Sequence, residues 1–357
     1  LGGFDPRKNM YRAVEAFSRF SHSYESDFKL YIVCAFDDES KRNLIAFAKD
    51  HNILEKIYLP GYVDDAQLKK IYKKASGFFF PSLYEGFGLP VIEAYATGLP
   101  VACSNTSSIP EVAGEEAIYF DPKNVNEMVD ALKQLVNKSL TKEARLRRYE
   151  YAQKFTWEKI AHKTFSEIQR VIGKKFTTIA DNKKIAWLSP FPPQKSGIAN
   201  YSFVLLSQLA TVESLSIDLY YNQDEPIDEL KSNFNTYPLD NFVNNYDQYD
   251  DVIYHLGNSS EFHTEIYKLA LEYPGIIVLH DYNINPFLYH SFYLEGKKEM
   301  YKEALLASAN GEGMAEWERV SCSNISNTAD FPLSEFIVAK SKRVIVHSRW
   351  VKQQFME

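Results

Sequence analysis

Short apolar runs alternate along this chain with longer stretches in which apolar residues recur every three or four positions. Runs at 28–34, 56–59, 77–80, 100–103 and 117–120 read as strands. Helical periodicity occupies 9–22, 39–51, 64–75, 89–97 and 124–138. Strands that alternate with amphipathic helices predict a parallel sheet covered on both faces. Two further helical stretches follow at 141–154 and 156–172, with Thr156 placed as an N-cap for the second. Residues 173–184 are polar and weakly patterned and read as a linker. The alternation then restarts with a strand at 185–189, a Pro/Gly loop at 190–197, a helix at 198–210, and strands near 215–220, 251–255, 275–279 and 343–346. Segment 222–250, rich in Asn, Asp and Tyr, reads as an insertion or irregular connection. The fold class expected is therefore α/β, with two Rossmann-like doubly wound parallel-sheet domains at 1–172 and 185–357.

The length of 357 residues suits about two domains, and 45% hydrophobic with 15% aromatic residues can fill two cores. Cys34, Cys103 and Cys322 share no metal-like or disulfide-like spacing. Without an apolar run of about 18 residues or a signal peptide, the expected location is cytoplasmic. Charge is uneven. Residues 1–175 hold 26 Lys and Arg against 23 Asp and Glu, a net of +3, whereas the remainder carries a net of −10. A mildly basic first half suits a phosphate-bearing ligand, and an acidic second half argues against nucleic acid. The cationic stretch Arg145-Leu146-Arg147-Arg148 reads as a solvated helix face, with membrane contact as the alternative.

The richest chemical pattern is Pro81-Ser82-Leu83-Tyr84-Glu85-Gly86-Phe87-Gly88-Leu89-Pro90-Val91-Ile92-Glu93-Ala94. An apolar strand leads into a glycine-spaced loop, and a helix opens at Leu89-Pro90, where the missing proline N–H costs nothing. Gly86 and Gly88 allow close backbone approach, and free N–H groups at the helix mouth favour an anion. Glu85 and Glu93 flank that mouth. At the start of the chain, Gly2-Gly3-Phe4-Asp5-Pro6-Arg7-Lys8-Asn9 combines a glycine-rich turn, cations and a helix start, the components of a diphosphate clamp.

Together these segments resemble the E-x7-E signature of retaining GT-B glycosyltransferases, a family that includes many lipopolysaccharide and capsule mannosyltransferases. The resemblance extends through Pro60-Gly61-Tyr62-Val63, Gly98-Leu99-Pro100-Val101 and Ile109-Pro110-Glu111-Val112. It implies that residues 1–172 bind a UDP- or GDP-sugar without a metal or other cofactor. Glu93 would take the ribose hydroxyls, and Glu85 would lie by the transferred sugar as a catalytic carboxylate. Gly3, Arg7, Lys8, Gly86, Phe87, Gly88 and Leu89 would surround the phosphates, and Gly61 and Tyr62 the base. Gly3 occupies the position where the family commonly has an Arg; Arg7 is then the compensating cation. Ser107, Ser108 and Ile109 would approach the sugar side.

The second half resembles the acceptor-side domain of the same enzymes. Trp187-Leu188-Ser189-Pro190 through Lys195-Ser196-Gly197-Ile198 resembles the first strand and its loop, with Ser196 and Gly197 on the acceptor side. His280-Asp281 resembles the active-site histidine position, and Tyr254-His255-Leu256-Gly257-Asn258 fits beside it. In the family the acceptor half comes first; here the order is reversed. A tandem protein, the tail of one transferase followed by the head of another, accounts for this, as does a circular arrangement of one. Leu1 in place of Met and a final helix barely begun at 355–357 read as a fragment of a longer protein. The acceptor implied is a growing glycan or lipid-linked glycan at the inner membrane face, with peripheral membrane association through segments outside this sequence. Two other classes fit the same motifs: a non-catalytic sugar-nucleotide-binding scaffold and a nucleotide-sugar isomerase of GT-B shape.

Overall fold

The computed structural model describes residues 5–24, 27–138, 140–172, 183–211, 215–308, 311–323 and 331–356. The chain divides into two compact units, Leu1–Phe155 with Ser348–Trp350, and Thr156–His347 with Val351–Glu357. In the first, strands β1 (Leu30–Tyr31) and β2 (Ile57–Tyr58) pair with each other, and β3 (Phe78–Phe80), β4 (Val101–Ser104) and β5 (Ile118–Phe120) form a separate sheet in that order. Every pairing is parallel, with Phe78 opposite Val101 and Ala102 opposite Ile118. Strand side chains alternate between faces, so each sheet face collects its own core. Ala102, Ile118 and Phe120 pack with Val14, Phe17 and Phe20 of the helix Met10–Ser23 and with Met128, Leu132 and Leu135 of the helix Val125–Asn137. On the opposite face Phe80, Val101 and Cys103 pack with Val91, Ile92 and Tyr95 of the helix Leu89–Ala96.

Two residues past the end of that helix lies Gly98, whose φ of +78° is in the left-handed region. Its carbonyl accepts a hydrogen bond from Arg148 Nη1 at 3.2 Å. The Arg148 side chain is only 2% exposed and lies beside Glu116, so the Arg145–Arg148 stretch is not a uniformly solvated face. Its last arginine is packed inward because the helix Lys142–Ala152 lies against Leu89–Ala96. A Cβ at position 98 would sit 2.8 Å from Arg145 Cβ. Gly98→Ala therefore combines left-handed strain with overpacking, and the urea midpoint followed by circular dichroism should report a loss of roughly 2–4 kcal/mol; an unchanged midpoint would refute the close packing.

The second unit carries strands β6 (Lys183–Leu188), β7 (Leu215–Tyr221), β8 (Asn235–Pro238), β9 (Asp251–Leu256), β10 (Ile276–Leu279) and β11 (Arg343–Val346). They lie in the order β11-β10-β9-β6-β7-β8, all parallel. This is the doubly wound order, and its direction reverses between β6 and β9, which opens a crevice at their carboxyl ends. Ile185, Trp187, Ile253 and Val278 face one core, while Ala186, Leu188, Tyr254 and Leu279 face the other. The central strands β9 and β10 are largely apolar because both their faces are covered.

Three expectations change here. The helix Trp157–Ile172, expected with the first domain, packs in the second unit. Ile168 is buried in the Trp187 core, and Thr164 Oγ1 lies 2.7 Å from Tyr201 Oη. Thr156 does cap it, accepting from the Lys159 N–H at 3.4 Å. Lys183 and Lys184, expected in the linker, begin β6; the rest of the linker lies outside the described residues. Segment 222–250 is not an irregular insertion, since it contributes the edge strand β8 and short helical turns. Among the described residues, no helix is long and apolar enough to cross a membrane.

Candidate functional site

The first unit gathers Lys8 and Glu85 from positions 77 residues apart. Asp5 accepts a hydrogen bond from the Arg7 N–H at 2.8 Å and opens a single turn, Pro6–Lys8. Asn9 follows with φ +58°, a conformation its short polar side chain tolerates. Its Nδ2 donates to the carbonyls of Pro81, at 3.1 Å, and Pro122, at 2.7 Å. The Leu83 N–H donates to the Arg7 carbonyl at 2.7 Å. These bonds tie the N-terminal turn to the loop after β3 and deliver Lys8 Nζ to Glu85 Oε1 at 2.6 Å. Both side chains are at most 10% exposed. The ammonium also lies 5.7 Å from the centre of the Phe80 ring. Arg7 turns elsewhere, to Asp5 at 3.2 Å. Gly3 lies outside the described residues.

The loop bearing Glu85 is held through its backbone. Thr106 Oγ1 donates to the Leu83 carbonyl at 3.0 Å, and Ser107 Oγ accepts from the Glu85 N–H at 3.0 Å. Ser108 Oγ, fully buried, reaches the carbonyls of Glu85 at 2.8 Å and Phe87 at 3.2 Å. The hydroxyls expected near the sugar thus fix the loop that carries the carboxylate. Gly88 takes φ +102° immediately before the helix Leu89–Ala96, a conformation that favours glycine. Glu93, one turn in, is solvent-accessible and accepts a hydrogen bond from Tyr72 Oη at 3.1 Å. Loss of hydration on its protein-facing side raises the Glu93 carboxyl above its ordinary value, and the Tyr72 bond opposes that rise. Burial and the adjacent carboxylate push the Tyr72 hydroxyl upward, so it stays a donor. Gly61, at φ +78°, precedes Tyr62, which is 73% exposed.

In the second unit, Ser196 caps the helix Gly197–Leu209 by accepting from the Ile198 N–H at 3.2 Å, and a Cβ on Gly197 would meet open space. His280, just past β10, does not stand alone. Its Nε2 lies 3.0 Å from His255 Nδ1, and its Nδ1 lies 3.2 Å from His347 Nε2. Trp187 stacks on His255 at 4.7 Å, and Tyr201 meets the His280 ring edge-on at 4.9 Å. Each ring nitrogen of His280 is thus paired with a neighbouring histidine. Burial holds all three imidazoles neutral, with the pKa of each below the usual histidine value. Among the described residues, no cluster of His, Cys, Asp or Glu is placed to hold a metal ion.

Residues 1–155 match the family model described as "Glycosyl transferases group 1". The first unit is a glycosyl transferase group 1 domain. Its relatives include O-antigen chain mannosyltransferase B of Escherichia coli, 32% identical over 169 residues covering 46% of this chain and 44% of that protein. Serotype-specific mannosyltransferase WbdA of Escherichia coli is 29% identical over 186 residues, covering 50% of this chain and 22% of that protein. O-antigen chain mannosyltransferase RfbU of Salmonella typhimurium is 31% identical over 147 residues, covering 38% and 40% of the two chains. The chain thus spans less than half the length of each of these relatives. Among solved structures, sucrose-phosphate synthase from Thermosynechococcus elongatus aligns with TM-score 0.43 and 23% identity over 48% of this chain and 44% of that one.

Within the glycosyl transferase domain, the structure joins Lys8, Glu85, Ser107 and Ser108 into one bonded cluster, and Glu93 to Tyr72 in another. Asn9, Thr106 and Tyr72 were not singled out by sequence. Asn9 had a readable signal, because Asn before a helix readily adopts the left-handed conformation. Tyr72 had none, since an aromatic on an amphipathic helix ordinarily reads as core.

Proposed function

We propose that this chain transfers a hexose, mannose by analogy with the named relatives, from a nucleoside-diphosphate sugar to a growing glycan or lipid-linked glycan in bacterial surface polysaccharide synthesis, at the cytoplasmic face of the membrane. The supporting observation is the buried Lys8–Glu85 pair, held beside the mouth of the helix Leu89–Ala96 by the Ser107 and Ser108 hydroxyls. As the anomeric C–O bond breaks, negative charge develops on the diphosphate. A fixed ammonium and oriented helix N–H groups stabilise that charge without reorganising. In this reading Lys8 and the N–H groups at Leu89 bind the diphosphate, and Glu93 accepts the ribose hydroxyls. Glu85 faces the sugar, where a carboxylate binds hydroxyls and offsets positive charge at the anomeric carbon. The acceptor oxygen then attacks from the face the diphosphate leaves, with retention and without a metal.

Calorimetry with UDP, GDP and ADP and their sugar derivatives tests the donor site. One nucleotide should bind selectively. Glu93→Ala should weaken it by about 10- to 100-fold, the equivalent of one hydrogen-bonded charged group. Equal binding by wild type and variant, or none by either, would overturn the assignment.

A further inference from the structure

We infer that His255, His280 and His347 form one directional hydrogen-bonded relay whose outward N–H is Nδ1 of His347, and that His347, rather than His280, offers a donor to an oxygen ligand at the carboxyl edge of the second sheet. The three residues stand at the carboxyl ends of the adjacent strands β9, β10 and β11, where open α/β sheets bind ligands. The His280 N–H donates to the Leu256 carbonyl at 2.8 Å, which seats its ring beside the end of β9.

Chemistry restricts the chain to two arrangements. A neutral imidazole has one N–H and one lone pair, so three rings joined by two N···N contacts must all point the same way. Either every Nδ1 carries hydrogen, or every Nε2 does. The inner end decides between them. His255 is fully buried, and its Nε2 has no partner among the described residues. A hydrogen there would be an orphaned buried donor, a rarer and costlier arrangement than an unused lone pair. The proton of His255 is therefore on Nδ1, directed at His280 Nε2. His280 Nδ1–H then donates to His347 Nε2, and the remaining N–H falls on His347 Nδ1. His347 is partly exposed, and of its two ring nitrogens the relay takes only Nε2.

The surroundings hold this order. Trp187 stacks on His255, and Tyr201 packs against the rings of His255, His280 and His347 at 5.8, 4.9 and 5.2 Å. Tyr201 Oη is itself occupied by Thr164. The charged or titratable neighbours are Asp281, whose negative charge acts on His347 and His263, and His263 on the helix Ser260–Glu272. Buried His255, acting through His280, thus sets the tautomer of the terminal ring. A sugar hydroxyl and a phosphate oxygen share the acceptor chemistry this N–H would meet.

The test is long-range proton–nitrogen correlation on the full chain labelled with ¹⁵N-histidine at pH 7. All three residues should show Nδ1–H. Nε2–H at any of them overturns the inference. His255→Phe removes the donor to His280 Nε2 and should let the tautomers of His280 and His347 become mixed, whereas His347→Leu, at the far end, should leave Nδ1–H on His280; an unchanged His280 tautomer in His255→Phe overturns the relay. Methyl α-mannoside and inorganic phosphate are then added in turn. A shift of the His347 Nδ1–H resonance with one identifies the acceptor as sugar or phosphate, and no shift with either refutes the ligand-facing role. This inference goes beyond the proposed transfer and fails separately from it, because nucleotide binding is read at Glu93 in the first unit.

Discussion

Glu85→Gln is expected to lower sugar transfer by about 100-fold or more, the scale of removing one preorganised charged group, and to destabilise the glycosyl transferase domain as well. The second effect follows from burial. Lys8 and Glu85 meet at 2.6 Å with each side chain at most 10% exposed. Removing one charge leaves the other without water or counterion, at a cost of about 3–5 kcal/mol. Lys8→Met should destabilise to a similar extent. The double variant Lys8→Met/Glu85→Gln leaves no buried charge, so its urea midpoint should lie above those of both single variants, because losing the whole buried pair costs less than stranding one partner. Transfer should stay lost in all three variants. That divergence separates a pair kept for chemistry from one kept for folding. Additive losses in the double variant would show that the two groups are not coupled. Wild-type transfer in either single variant would remove them from the reaction.

Much of the fold was legible because its signals are local. Phe78-Phe79-Phe80 is too short for a helix and too apolar for a loop, and it forms β3. Gly88-Leu89-Pro90 marks a helix start, and the helix begins at Leu89. Segment 222–250 misled because β8 is an edge strand with a half-solvated surface. Asn235-Thr236-Tyr237-Pro238 therefore lacks the apolar run of a central strand, and its proline is tolerated at the strand end. The helix Trp157–Ile172 has a clear apolar face, but periodicity does not say which core that face will join. At the site, Lys8, Glu85 and Glu93 were nameable from motif context, whereas the contact between Lys8 and Glu85 was not. It depends on Asn9 bridging two distant carbonyls. The histidine relay shows the same limit. His280 and His347 both follow apolar strands, a shared signal that points to one sheet edge, but their mutual bond requires β10 and β11 to be neighbours.

Acidification from pH 6.5 towards pH 4 should destabilise the second unit more steeply than the first. His263 and His347 are pushed down to about 4, in both cases chiefly by burial, and His255 and His280 lie below their ordinary value in the same direction. Folded-state values below the unfolded value of 6.5 mean that the unfolded chain takes up protons first as pH falls. Stability is then fully present above about 6.5 and is lost down to about 4. His263 is 1% exposed, so its share alone would reach about 3 kcal/mol at the low end. The partly exposed His347 contributes less. Carboxylates titrate little above pH 5, so the interval from pH 5 to 6.5 isolates the histidines. Urea unfolding by circular dichroism, with histidine resonances assigning the transition to the second unit, should show the midpoint falling across that interval. His263→Gln, which cannot titrate, should flatten the slope. A midpoint constant from pH 6.5 to 5 would mean that these imidazoles gain compensation for their protons in the folded state, and the neutral relay would then be the wrong description of the cluster.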